Sequence, residues 1–196
     1  IILNDQAIGY SEKVNFEEAE KSMICAMKYA EKHNDIFLRA KIIGNYAVIL
    51  EKEKKYEESL ELHQRVLALF EILFGYSHFH IAKALGNMGM TYAYLKDFGN
   101  ADKFILQSIQ MYIDEYGNAP HVDLANGYRG FAKRFLIEGD LKRAEQYYSK
   151  AIEMYYEVLS SSSKTLKTAI SNLLASCDDA MLRKKLDDYI AIMDSH

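Results

Sequence analysis

The feature that most restricts the fold of this 196-residue chain is an internal repeat. Four segments align: "FEEAEKSMICA" from Phe16, "YEESLELHQRV" from Tyr56, "FGNADKFILQS" from Phe98 and "LKRAEQYYSKA" from Leu141. Each opens on a large apolar residue. A small residue follows three positions later, a bulkier one four after that, and another small one three further on. The first small residues, Ala19, Ser59, Ala101 and Ala144, are 40, 42 and 43 positions apart. A second pattern recurs with them: Ile43, Tyr46, Ala47, Leu50; then Leu85, Met88, Gly89, Tyr92; then Tyr128, Phe131, Ala132, Phe135; then Ile170, Leu173, Leu174, Cys177. Its i, i+3, i+4, i+7 spacing is one apolar face of an amphipathic helix.

Two helices per period, with small residues fixed at their contact, describe a unit that cannot bury its apolar face alone and must stack on its neighbours. The expectation is all-α: a right-handed α-solenoid of antiparallel helix pairs. It reads as one repeat domain over 1–196, in units of about 1–35, 36–77, 78–119, 120–162 and 163–196. Breakers fall between the patterns, in "LKDFGN" and "IEGDLK" within units and in "FGYSHFH", "YGNAPHV" and "SSSSK" between them. A single proline in the whole chain agrees with a mostly helical fold. Leu3, Ala7 and Tyr10 fit the face of a first helix whose opening turn is missing, so the chain reads as a fragment continuing upstream. "DAMLRKKLDDYIAIM", with Leu182, Leu186, Tyr189 and Met193 on one side, reads as an amphipathic capping helix.

The pattern resembles the tetratricopeptide repeat family. Leu85, Met88, Gly89, Tyr92, Phe98, Ala101, Ile105 and Ser108 match it in type and order, and "GDLKRAEQYYSKAI" matches it most fully. The period near 42, against about 34 for the common form, is similar to kinesin light chain repeats. "GYSHFHIA" and, more loosely, "GNAPHVDLA" resemble their linker motif. The resemblance implies a protein–protein interaction module, an adaptor or scaffold that takes a partner's peptide in a concave groove lined by the first helix of each unit. Bacterial peptide-pheromone receptors look similar, so a peptide-sensing regulatory domain is the alternative it implies.

On each first helix, the positions beside the core stripe are Lys41, Asn45 and Val48; Lys83, Asn87 and Met90; Asn126, Gly130 and Lys133, with Arg129 adjacent; and Thr168, Asn172 and Ala175. Asparagine is a poor mid-helix residue, yet it recurs at one phase in Asn45, Asn87 and Asn172. Its amide both donates to and accepts from a peptide backbone, and the resemblance implies that use here. Lys41, Lys83, Arg129 and Lys133 share the face, which favours an acidic or C-terminal-carboxylate peptide. Glu51 and Asp178 are the acids nearest in phase.

Other classes are disfavoured. The formal net charge is −4, against an overall nucleic-acid footprint. No run approaches the ~18 apolar residues of a membrane helix. Cys25 and Cys177, each in an apolar helical pattern, are expected to be buried thiols in a reducing, cytoplasmic compartment. No G-x-G-x-x-G, P-loop, H-E-x-x-H or C-x-x-C occurs, so no catalytic role, cofactor or metal is expected. Ser161 and Lys164 stand at S-x-x-K spacing but read as a linker and helix start. His78, His80 and His121 read as turn residues, His63 as a core or inter-repeat histidine, and the 15 tyrosines as packing residues with polar tips.

Overall fold

The computed structural model describes residues 16–117, 119–159 and 164–194. Within them the chain is all helix: α1 (Phe16–Lys32), α2 (Ile36–Lys52), α3 (Tyr56–Phe74), α4 (Phe79–Tyr94), α5 (Phe98–Tyr116), α6 (Val122–Glu138), α7 (Leu141–Val158), α8 (Lys164–Ser176) and α9 (Ala180–Asp194). The closest neighbours are α2 with α3, α4 with α5 and α6 with α7, and each pair then packs on the next. That is the all-α solenoid the repeat requires. Leu3, Ala7, Tyr10 and Ser161 lie outside the described residues.

Local chemistry sets the turns. In three successive units the first helix ends on a residue with positive φ: Lys54 at 63°, Lys96 at 61° and Gly139 at 91°. The left-handed conformation costs a non-glycine residue about 1–2 kcal/mol, so only Gly139 adopts it freely. The second helix of the pair then opens on an aspartate in two of these units. Asp97 Oδ1 accepts from Asn100 N–H at 3.1 Å, and Asp140 Oδ1 accepts from Arg143 N–H at 2.9 Å. Such caps satisfy donors that the helix leaves open. Between units the cap is an imidazole. His78 Nδ1 accepts from His80 N–H, and His121 Nδ1 from Asp123 N–H, both at 3.2 Å. These histidines are therefore built into helix starts rather than merely solvated.

The apolar stripes become the core. Ile43, Ala47, Leu50, Leu85, Met88, Gly89, Tyr128, Phe131, Ala132, Phe135, Ile170, Leu173 and Cys177 are buried, as are the small residues Ser59, Ala101 and Ala144. Gly89 shows why that position must be small. A Cβ there would lie 2.6 Å from Ile105 Cγ1 and 2.9 Å from Ile105 backbone N. On α9, Leu182 and Leu186 are buried while Arg183, Lys184, Lys185, Asp187 and Asp188 face out, so one face of the helix packs on α7. One expectation is overturned: Cys25 is exposed, and only Cys177 is buried. The inward stripe of α1 runs through Met23, Ala26 and Ala30, and Cys25 falls off it.

Polar cross-links tie unit to unit. Thr91 Oγ1 donates to Glu51 Oε1 at 2.6 Å. The same carboxylate oxygen lies 3.2 Å from Nε2 of the fully buried His63 of its own unit, a core histidine that meets the link through Glu51. One period on, buried Arg134 donates from Nη2 to Asp102 Oδ2 at 2.9 Å and sits over the rings of Phe98 and Phe135. One period further, Ser176 Oγ donates to Tyr148 Oη at 3.2 Å, and Tyr148 Oη donates to the Ser176 carbonyl at 3.1 Å. Among the described residues no helix is long and apolar enough to cross a membrane.

Burial raises several tyrosines above their ordinary value of 10: Tyr94 to about 12, and Tyr112, Tyr148 and Tyr155 in the same direction. Above pH 10 the unfolded chain releases these protons while the folded chain keeps them, so stability falls as pH rises. The urea midpoint is expected to drop steadily from pH 10 to 12, before the buried phenols ionise in the folded absorbance spectrum. A midpoint flat across that window would contradict this burial.

Candidate functional site

The side of α2, α4, α6 and α8 away from the buried stripes carries three clefts in a row. The first, of about 300 Å³, lies between α2 and α4 and is lined by Lys41, Asn45, Val48, His80, Lys83 and Asn87 over Val66 and Phe70. A second, of about 290 Å³, lies between α4 and α6, with Lys83, Asn87, Asp123, Asn126 and Arg129 around Met90, Ile105, Ser108 and Tyr112. The third, of about 440 Å³, lies between α6 and α8 and takes in Asn126, Arg129, Tyr155, Lys164, Thr168 and Asn172. Lys83 and Asn87 belong to both the first and second clefts, and Asn126 and Arg129 to both the second and third. The clefts therefore form one continuous line across four helices.

Seven of the eight sequence-derived residues stand on this line: Lys41, Asn45, Lys83, Asn87, Asn126, Arg129 and Asn172. Lys133 does not. Its ammonium is paired with Asp178 in the turn between α8 and α9, which makes it an inter-unit tie. Glu51, placed near the groove by phase, lies instead in the buried network with His63 and Thr91.

Glycine opens the middle cleft. Gly86 on α4 and Gly127 and Gly130 on α6 line it, and through the gaps α5 shows Ile105, Ser108 and Tyr112. A Cβ on Gly86 would come 3.1 Å from Ser108 Oγ, and one on Gly127 would come 3.0 Å from Ile109 Cγ1. Reasoning from the first-helix phase alone cannot find these floor residues, because they belong to the second helix of the unit. Lys164, by contrast, is four residues before Thr168, and the same phase extended one turn would have found it.

Two further features set the electrostatics. Tyr155 Oη donates to Asn126 Oδ1 at 2.6 Å, which fixes that amide with its acceptor occupied and its NH₂ free to serve the cleft. His80 is held below its ordinary value, first by burial and then by the charges of His78, Lys83 and Lys41. It stands neutral at pH 7, beside two lysines. Asp123 is the carboxylate of the middle cleft. Among the described residues no cluster of histidine, cysteine or carboxylate side chains could hold a metal ion.

The tetratricopeptide repeat family profile matches residues 38–114 and 80–157, overlapping spans that cover α2 to α7. The chain belongs to that family. Solved structures agree on the long-repeat form. BtubC (BKLC) from P. vanneervenii superposes with a TM-score of 0.68 at 16% identity, covering 97% of this chain and 79% of that one. A putative kinesin light chain from Podosopora anserina with nearly identical TPR-like repeats superposes with a TM-score of 0.64 at 13% identity, over 98% and 94% of the two chains. A second crystal structure of those repeats, carrying a point substitution, gives a TM-score of 0.66 at 13% identity, over 98% and 93% of the two chains. No curated protein matches the chain. At such identities the likeness extends to the fold, and tetratricopeptide repeats as a family mediate protein–protein interaction.

Replacing Tyr155 with phenylalanine removes one buried hydrogen bond, worth about 0.5–1.5 kcal/mol of stability. It also frees Asn126. The Asn126 side-chain amide resonances are expected to broaden in Tyr155→Phe, and unchanged resonances would show that the phenol does not orient the amide.

Proposed function

We propose that this chain is an adaptor module that holds an extended peptide segment of a partner protein along the line of clefts on α2, α4, α6 and α8. The observation that carries the reading is the sharing of residues between successive clefts. A ligand crossing from one to the next meets Lys83 with Asn87, and then Asn126 with Arg129. Side-chain amides repeated at that interval suit a peptide main chain, which offers a donor and an acceptor at every residue.

The charges give the ligand a sign. Lys41, Lys83, Arg129 and Lys164 line the clefts against Asp123. A peptide carrying carboxylates would meet complementary charge along most of its path, which speeds encounter and fixes register. Neutral His80 adds a hydrogen-bonding group without a charge of its own. An exposed thiol at Cys25 and a buried one at Cys177 fit a reducing, cytoplasmic setting. The reading assigns the chain no catalytic role, cofactor, nucleic acid or membrane.

Two variants used as bait beside the wild type test this. Lys83→Glu with Arg129→Glu reverses charge at the shared positions, and Asn45→Ala with Asn87→Ala and Asn172→Ala removes the amides. The charge reversal is expected to weaken an acidic partner by at least about tenfold, with weaker salt dependence in what remains. Loss of the same partner from the amide variant is expected too. A partner bound equally by wild type and both variants would move the interaction off this face.

A further inference from the structure

A cleft of about 220 Å³ lies away from the three described above, between α1, α2 and α3. Met23, Ile24 and Met27 of α1, Ile42, Ile43 and Tyr46 of α2, and Leu62 of α3 form its apolar walls. Glu31, Arg39 and Arg65 line it as well. None of these residues lines the other line of clefts.

The repeat shows how unusual this place is. Arg39 is equivalent to Ile81, Leu124 and Leu166 in the following units, at successive spacings of 42, 43 and 42, and all three are buried aliphatics. Leu62 is equivalent to Phe104 and Tyr147. Phe104 stacks on Tyr92 with ring centroids 5.4 Å apart, and Tyr147 packs on Phe131 at 4.7 Å. Unit after unit thus fills this space with an aliphatic side chain and an aromatic ring. Here the ring is a leucine and the aliphatic is an arginine. The result is an opening lined by two guanidinium groups, Arg39 and Arg65, and behind it Arg39 Nε is buried without a hydrogen-bond partner. A buried polar group without a partner is costly and calls for an explanation.

We propose that this cleft is a second binding site, for a carboxylate-headed aliphatic chain of the size of a medium-chain fatty acid. The carboxylate accepts from the terminal guanidinium nitrogens of Arg39 and Arg65, two positive groups that outweigh Glu31. The chain lies against Met23, Met27, Ile42 and Leu62. Methionine walls adapt readily to a flexible chain. The size follows from volume. A dry cavity of ~150 Å³ takes a benzene ring, so this one takes an aliphatic chain of roughly eight or nine heavy atoms by the same measure. A break in local rules at a site where sequence otherwise obeys them is where function is expected. The site is separate from the proposed peptide face, so either can fail without the other.

Octanoate, octanol and octylammonium, titrated into the protein carrying ¹³C-labelled methionine methyls, separate the contributions of head and chain. Octanoate is expected to bind saturably and to shift Met23 and Met27 while leaving Met88 and Met90 in place. Octanol is expected to bind about tenfold more weakly and octylammonium not at all. Arg39→Leu, which installs the residue found at the equivalent positions 124 and 166, keeps the fold. It is expected to erase the preference for octanoate over octanol and to raise Tm, because it removes the unpartnered donor. Equal binding of octanoate and octanol to the wild type would overturn the proposal. So would shifts confined to Met88 and Met90, the absence of saturable octanoate binding, or an undiminished preference in Arg39→Leu.

Discussion

The architecture depends on how closely the two helices of a unit can approach. Ala47, Gly89 and Ala132 occupy one repeating position on the first helix, and Ser59, Ala101 and Ala144 one on the second. All six are buried. In the middle pair a single added methyl at Gly89 would intrude on the Ile105 backbone itself. Backbone cannot be moved aside as a flexible side chain can, so the spacing of this pair is fixed by composition. Close pairs then present flat, repeating flanks, and stacking those flanks buries a continuous core that no single unit could build.

Stacking alone would leave the units free to slide, and the polar cross-links define their offset. Thr91, Arg134 and Ser176 occupy one repeating position, and each bonds back to the preceding unit through a different chemistry. The arginine version is the most demanding. Arg134 is 3% exposed and its guanidinium is shared between Asp102 of the preceding unit and Glu138 of its own helix, so loss of Asp102 would leave the charge paired within its unit and break the tie between units. The Lys133 pair with Asp178 adds another tie on the same side of α6 as the clefts. With unit offset fixed, Lys83, Asn87, Asn126 and Arg129 fall between neighbouring clefts.

Period and phase made most of this legible from sequence. Small residues every 40 to 43 positions located the helix pairs, and the i, i+4, i+7 phase beside the apolar stripe located ten of the residues lining the clefts, with Arg129 adjacent. Phase says which way a side chain leaves its helix, but not what it meets. Lys133 leaves in the expected direction and is met by Asp178. Cys25 looked buried because its neighbours are apolar, yet α1 turns Met23 and Ala26 inward and Cys25 out. Ile105, Ser108, Tyr112 and Tyr155 reach the clefts from second helices, through gaps that depend on three-dimensional spacing. The opening at Arg39 and Leu62 is written in the repeat as two departures from it. The volume it leaves is not.

The most direct measurement is the urea stability of Gly89→Ala against Gly99→Ala. Alanine is the better helix former by about 1 kcal/mol, so helix propensity alone would make both variants more stable. At Gly99 the nearest atom to a new Cβ is 3.8 Å away, and that variant should hold or gain stability. At Gly89 overpacking is expected to reverse the sign, with a loss of about 1–3 kcal/mol. A Gly89→Ala protein as stable as the wild type, or more so, would contradict close helix approach as the constraint on which this solenoid is built.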